Sequence, residues 1–414
     1  MIEIVDKTDC CGCTACEAVC PQNCIRMEPD QDGFRYPVVN KQQCIGCKRC
    51  INVCPVRGKE KKTYIYDKSK EEMTQEVLKT ANKPLAYACY YHDDKVRKNS
   101  TSGGIFTAIA QYVLKHNGIV YGVGYDEHFN IKHFSAENDK ALEAFRGSKY
   151  VQSDQSGIYR EVKCHLVDHR MVLYTGTPCQ VAGLKKYLIK DYDNLITIDL
   201  FCHGVGSPSY WQKYLADMTK KYKSPVQSLY FREKTYGYNS TCMAIYFQNG
   251  KSSHRDHDSD LYLSPFSKCY IFRPSCYACA FKTLEHTADF SIGDYWNTST
   301  LNAEYEKADG CTLMLCHSEK SKTILQSIQD SISTEEVSLY DALLINGGHQ
   351  PSMYITSSKK PEKQDEFMIK CRSESIGKLV KEYMPMRLKT KIKCHIKPVL
   401  YRTGLLKMLK RIKK

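Results

Sequence analysis

The chain has 414 residues, 42% of them apolar, which is enough for two or three domains with a sizeable core, and no apolar run approaches the ~18 residues that cross a bilayer. The net charge of +14 is uneven: Arg387 to Lys414 carries eleven Lys or Arg and no acid, so the body is close to neutral, which excludes a nucleic-acid-binding domain with a basic face. The outlier is cysteine, with 22 residues behind an opening (Met1 to Lys7) that lacks the basic and apolar parts of a secretory leader; this predicts a reducing, cytoplasmic setting and metal ligation in place of disulfides.

In chain order, the first signal is the strongest. Cys10, Cys13, Cys16, Cys20 and Pro21 spell C-x2-C-x2-C-x3-C-P, and Cys44, Cys47, Cys50, Cys54 and Pro55 spell it again. In two-cluster bacterial ferredoxins the fourth Cys of each run ligates the other cluster, so the spacing predicts one [4Fe–4S] cluster on Cys10, Cys13, Cys16 and Cys54 and a second on Cys44, Cys47, Cys50 and Cys20. Zinc sites come as paired C-x2-C knuckles, not as triple runs ending in C-P. Cys11 and Cys24 fall outside the pattern and read as bystanders. Such clusters carry single electrons, so this is a wire that needs something at its end.

Residues 59–83 are lysine-rich and read as a linker after a 1–58 ferredoxin-like dicluster domain of α+β type. From residue 84 to about 360 strand and helix patterns alternate: a strand over Leu85–Tyr91, a helix opened by Ser100 to Gly104, a strand over Ile119–Tyr125, a strand over Met171–Thr175, a helix over Pro178–Leu188, a strand over Leu195–Cys202 and a helix from Pro208. Asn249-Gly250 signals a hairpin, and a strand and helix follow over Thr312–Ile328. The alternation predicts an α/β domain with a largely parallel sheet, whose ligands sit beyond the carboxyl ends of the strands. Ser102, Gly103 and Gly104 stand at a helix N-terminus, suited either to a phosphate or to an ordinary cap. Lys149, in Gly147-Ser148-Lys149-Tyr150, would face a phosphate or solvent.

Four more cysteines are placed suggestively. Cys179 opens the Pro178 helix and Cys202 ends the Leu195 strand, so parallel neighbours would present both thiols on one sheet edge, while Cys276-x2-Cys279 reads as a loop. Together they outline a four-sulfur site, with zinc, a redox dithiol and unmetallated thiols left open as alternatives. His254 to Asp260 imitates a hard-metal site but reads as a solvated loop, and Asp294 either faces a cofactor or caps a turn. Residues 361–414 read as a basic tail in which Val399, Leu400, Leu405, Leu406, Leu409 and Ile412 alternate with cations, the pattern of a helix lying on an anionic membrane surface.

The ordered set Ser102-Gly103-Gly104, Gly147-Ser148-Lys149-Tyr150, Gly176-Thr177-Pro178-Cys179-Gln180, Phe201-Cys202-His203-Gly204, Cys276-x2-Cys279 and Ile292-Gly293-Asp294-Tyr295-Trp296 resembles the β-subunit family of coenzyme F420 hydrogenase and dehydrogenase, over about Lys83 to His317. The resemblance implies FAD near Ser102, Gly103, Gly104, Lys149 and Thr177, and a third [4Fe–4S] cluster on Cys179, Cys202, Cys276 and Cys279. It implies an oxidoreductase in which flavin turns single-electron traffic into hydride chemistry, fed by a ferredoxin-like donor. The alternative is a non-catalytic electron-transfer subunit serving a separate catalytic partner. The layout resembles the bacterial branch associated with polysaccharide biosynthesis; the substrate does not carry over.

Overall fold

The computed structural model describes residues 1–61, 83–238, 242–296, 309–344 and 354–403, with isolated positions between them. Most of the linker, and residues 406–414 of the proposed membrane-facing tail, lie outside the described residues. No helix among the described residues is long and apolar enough to cross a membrane.

The N-terminal module repeats itself in conformation as well as in sequence. Two one-turn helices, Ala15–Ala18 and Arg49–Asn52, each follow a left-handed residue, Thr14 (φ 65°) and Lys48 (φ 59°). Gly12 (φ 71°) and Gly46 (φ 69°) repeat in the same way, letting the backbone turn inward between the first two thiols of each run. An antiparallel hairpin, β1 (Ile25–Pro29) and β2 (Arg35–Val39), closes the module.

The second domain is built on an eight-stranded sheet of β3 (Leu85–Tyr91), β4 (Ile119–Tyr125), β5 (Ile131–Ala136), β6 (Val172–Gly176), β7 (Leu195–Leu200), β11 (Phe290–Asp294), β12 (Thr312–Cys316) and β13 (Ile332–Glu336), in the order β13-β3-β12-β11-β7-β6-β4-β5. Its centre, β4-β6-β7-β11, is parallel as the strand and helix alternation predicted. Antiparallel strands flank it on both sides, making the whole sheet mixed. The central strands are buried on both faces, with the Ile105–Lys115 helix over one and the Ile158–Val167 and Pro178–Leu188 helices over the other. A separate antiparallel meander of β8 (Val226–Tyr230), β9 (Cys242–Phe247) and β10 (Ser252–Asp256) packs with the Pro208–Tyr222 helix.

Two expectations need correcting. His254 to Asp256 is not a solvated loop but the second half of β10; His254 Nδ1 lies 3.2 Å from the Glu233 carboxylate, and Asp256 and Asp260 are buried. The polar run concealed a strand because its partners are polar as well. The tail does not begin at 361. Helices Gln364–Cys371 and Ile376–Tyr383 place Phe367, Met368, Ile376, Leu379 and Val380 in the core beside Trp211 and Tyr214. Their apolar spacing was outweighed by the surrounding lysines. The helix Leu388–Arg402 then lies on β10, where Lys397 pairs with Asp256 at 3.5 Å.

The ferredoxin module is bolted to the second domain. Ala15, Ala18 and Val53 share a core with Ile158, Val162 and Val181. Gly183 sits mid-helix, where glycine costs about 1 kcal/mol relative to alanine; a Cβ there would lie 2.8 Å from Cβ of Cys13, so the close approach of the module requires it. Gln155 donates to the Cys13 carbonyl (2.7 Å) and Arg160 to that of Ala18 (2.9 Å). Arg273, fully buried, donates to the carbonyls of Cys10 (2.8 Å) and Arg35 (3.0 Å) and to Oε1 of Gln152 (2.7 Å). Replacing Arg273 with Met is expected to weaken this docking by at least about 3 kcal/mol, since charge-assisted hydrogen bonds contribute about 1.5–3 kcal/mol each. Differential scanning calorimetry should then split into two transitions; a single transition at the wild-type temperature would show that the arginine does not hold the modules together.

Candidate functional site

All 22 cysteines are unpaired thiols. In the ferredoxin module they gather in two groups. The Cys16 thiol is raised by burial and by the facing Cys10 and Cys54 thiols, and Cys13 faces Cys16 and Cys10. On the other side Cys20, Cys44, Cys47 and Cys50 line one small cavity of about 20 Å³. Cys24 joins that cavity, its Sγ 3.4 Å from Sγ of Cys20.

The second-domain cysteines also converge. β6 and β7 are parallel neighbours, so the segments that leave their carboxyl ends emerge on one edge: Cys179 opens the Pro178 helix there and Cys202 follows β7. The helix start is fixed by a capping box between Thr177 and Gln180, and the Thr177 hydroxyl lies 3.2 Å from Sγ of Cys179. Cys276 and Cys279 arrive on the turn Pro274–Ala278 and its cap. All four thiols line a cavity of about 50 Å³. Burial pushes Cys202 up to about 12, and burial together with the facing Cys202 and Cys279 thiols raises Cys276 well above its ordinary value. Four half-buried thiols around one cavity that oppose one another's ionisation need positive charge to hold them as thiolates, which iron would supply. Lys282, bound to the Cys202 carbonyl, and Arg273 already lower this cost in part.

Beside this cavity opens a cleft of about 1580 Å³ between the carboxyl edge of the main sheet and the segments 266–270 and 356–359. Ser102, Gly104, Lys149 and Thr177 line it. Gly103 does not: it is buried, its N–H bonded to Oγ1 of Thr312, and a Cβ there would meet the Cys89 carbonyl at 2.5 Å. Gly104 (φ 90°) caps the Ile105 helix without a side-chain acceptor, leaving the first helical N–H groups free at the cleft wall. The Lys149 ammonium rests on the carbonyls of Ala144 (2.9 Å) and Arg146 (3.0 Å), and burial lowers its pKa to about 7. Thr177, Gln180, Cys202 and His203 line both the cleft and the four-thiol cavity, so the two share a wall.

Sequence reasoning passed over several residues here. Cys11 is no bystander: it lines the four-thiol cavity and hydrogen-bonds both Cys13 and Cys179. Only the docking of the two modules makes that contact, so no local spacing announces it. Arg232 enters the cleft just after β8 and pairs with Asp294 at 2.6 Å, with a side chain only 8% exposed. Among the described residues its bonds to Tyr150 and Asp294 both use one amino group, which leaves Nε and the second amino group to face whatever occupies the cleft. Asp294 therefore faces the cleft and does not cap a turn.

The profile described as coenzyme F420 hydrogenase/dehydrogenase, beta subunit N-term, matches residues 86–158, and the one for the C terminus matches residues 169–340. Two profiles for a 4Fe-4S dicluster domain match residues 9–57 and 36–85. No match is found among curated proteins. Among solved structures, a chain from the xenon-derivatised F420-reducing [NiFe] hydrogenase complex of Methanosarcina barkeri aligns at 18% identity and a TM-score of 0.45, over 74% of this chain and 94% of that one.

The two loop glycines make opposite demands. Gly104 needs a left-handed backbone, for which an alanine costs about 1–2 kcal/mol, and a methyl group there would press only lightly on Cβ of Tyr91, 3.3 Å away. Gly103 has no such backbone demand but no room, and overpacking costs about 1–3 kcal/mol. Because Cys89 O and Thr312 N are both backbone atoms of the sheet, Gly103→Ala should lower the melting temperature more than Gly104→Ala. The reverse order would show that the loop matters for its φ angles and not for close packing.

Proposed function

The chain belongs to the coenzyme F420 hydrogenase/dehydrogenase β-subunit family, and on that footing we propose that it is an iron–sulfur flavoprotein oxidoreductase. Electrons would pass from the ferredoxin module through a third [4Fe–4S] cluster on Cys179, Cys202, Cys276 and Cys279 to FAD and a small substrate in the cleft. The observation that carries this reading is continuity: Thr8, Cys11 and Val56 of the ferredoxin module line the four-thiol cavity, which in turn shares Cys202 and His203 with the cleft. A zinc ion would draw its sulfurs to about 2.3 Å from one centre. Among the described residues no three His, Cys, Asp or Glu side chains are gathered as a single ion needs, whereas four thiols around a cavity suit the larger iron–sulfur cube.

The residues fit a dinucleotide flavin. The free N–H groups at the start of the Ile105 helix, with Ser102 and Lys149, would hold its diphosphate. Arg232, its charge balanced by Asp294, would donate to carbonyl oxygens. When bound, flavin supplies the exchange between single electrons and hydride. The cleft exceeds the ~300–1,000 Å³ of a typical ligand pocket, which leaves room for substrate beside cofactor and favours an enzyme over a passive conduit.

Anaerobically purified full-length protein should contain about twelve irons, as three four-iron clusters require, and one FAD. Cys276→Ser should leave about eight irons and the flavin in place. Wild-type protein with eight irons and one zinc would overturn the third cluster, and protein that takes up no FAD would leave the conduit reading. A second prediction concerns pH. Protonated Lys149 favours the diphosphate, and its pKa of about 7 in the free protein would rise in the complex, so FAD affinity should fall as pH climbs through about 7. Fluorescence titration should show a decline of roughly tenfold, the scale of one charge-assisted hydrogen bond. Lys149→Met should bind weakly at every pH; the same pH slope in that variant would assign the effect to another group.

A further inference from the structure

The two clusters of the ferredoxin module face very different surroundings. Cys10, Cys11 and Cys13 are pinned against the second domain: their carbonyls accept from Arg273, Gln152 and Gln155, and the Cys13 side chain packs on Gly183. The Cys44–Cys50 run points away. Cys47 is exposed, Gly46 has no neighbouring atom within 4 Å of where a Cβ would stand, and Ile45 is 64% exposed. The cavity bounded by Cys20, Cys44, Cys47 and Cys50 has no acidic residue in its lining and includes Lys48 and Arg49. Both cations are exposed, and among the described residues no carboxylate pairs with either. Lys48 and Arg49, with Ile45 exposed beside them, thus make a small basic face over the only exposed thiol of the eight in the repeated motif.

We propose that this face, formed by Ile45, Cys47, Lys48 and Arg49, docks a small acidic one-electron carrier protein, and that electrons enter the chain here. The step is a single-electron exchange in which the carrier is oxidised, the cluster beneath Cys47 is reduced, and no bond or proton changes hands. The order within the chain follows from position: the cluster under the exposed Cys47 receives, the one on the Cys10 run, against the second domain, relays, and the four-thiol site that Cys11 lines takes over at the domain boundary. Charge sets the kind of partner. Two unpaired cations around an exposed apolar residue steer an acidic surface at long range and accept apolar contact on arrival, a pairing that raises association rates more than it lowers dissociation. The inference rests on the iron–sulfur reading of the eight motif cysteines and is independent of the flavin and of the third cluster.

The probe is an acidic plant-type [2Fe–2S] ferredoxin, photoreduced and mixed with full-length protein under anaerobic conditions. The second-order rate of bleaching of the protein clusters should fall about tenfold between 50 and 500 mM salt, as screening shortens the reach of surface charge. Lys48→Glu combined with Arg49→Glu should lower the low-salt rate at least tenfold, while direct photoreduction by neutral 5-deazariboflavin and the iron content stay unchanged. Lys220→Glu with Lys221→Glu, on the far end of the Pro208–Tyr222 helix, controls for total charge. An unchanged rate in the first pair, or an equal loss in the control pair, would overturn the proposal. Should the first pair fail to assemble clusters, carbodiimide cross-linking of wild type decides: ferredoxin carboxylates joined to Lys48 support the face, and links confined to other lysines or to a second copy of this chain refute it. Wild-type protein without iron in the module would instead defeat the reading on which the inference rests.

Discussion

The arrangement hangs on one buried cation. Arg273 stands three residues before Cys276 and reaches across the domain boundary to the carbonyls of Cys10 and Arg35, while its guanidinium packs over the rings of Tyr36 (4.2 Å to the centroid) and Phe34 (5.6 Å). It thereby fixes a ligand loop of the second domain against the first thiol of the first. Taking an unpaired arginine out of water is costly unless negative charge lies close by. Among the described residues no carboxylate pairs with Arg273; the charges it meets are those of the Cys10 and Cys179 thiols, whose ionisation it favours. Two carbonyls, an amide oxygen and two aromatic faces satisfy the guanidinium, and its charge favours the thiolate form of the neighbouring sulfurs.

From that contact the remaining geometry follows. Because β6 and β7 run parallel, the loops after them open on the same edge, and the edge that carries Cys179 and Cys202 is also the rim of the cleft. The antiparallel pair β11 and β12 brings the cleft's other wall into register, with Asp294 opposite Thr312. Thr312 in turn bonds Ser102 (2.9 Å), and Thr101 bonds Ser148 (3.1 Å). Lys234 holds the Ser102 carbonyl at 3.1 Å from the meander side. Loops distant in sequence are thus tied into one rim through short polar contacts anchored on sheet positions, so the site inherits the rigidity of the strands.

What the sequence reveals of this depends on how each interaction is encoded. Ligand spacing is local, and the conformational repeat of Thr14 and Lys48 shows why: each short run must wrap one corner of a cluster, which permits few residue patterns. The strands Leu85–Tyr91 and Thr312–Cys316 and the helix Pro178–Leu188 were legible to the residue because apolar periodicity and a proline start mark them. Contacts made by docking leave no such mark. Cys11, Gly183 and Arg273 matter through partners more than a hundred residues away or in another module, and Gly103 matters for the backbone behind it and not for the loop it begins. The Gln364 and Ile376 helices were missed for a different reason: their core-facing residues alternate with solvated lysines, and charge counting hid the apolar face.

Burial along the path also explains where the cations lie. Adding an electron to a cluster adds negative charge, and a low-dielectric surrounding disfavours that charge unless positive groups or hydrogen bonds offset it. The thiols of the Cys44 run are partly in water, and solvent does the offsetting there. The Cys10 run and the four-thiol site are enclosed, and they are the places with buried cations: Arg273 between them, and Lys282 beside Cys202 and Cys279. Without those cations each inward step would meet a rising desolvation cost, and the electron would rest at the surface. On the proposed path, Arg273 beside Cys10 and Cys179 and Lys282 beside Cys202 would offset part of that cost, and both are placed by the docking of the two modules.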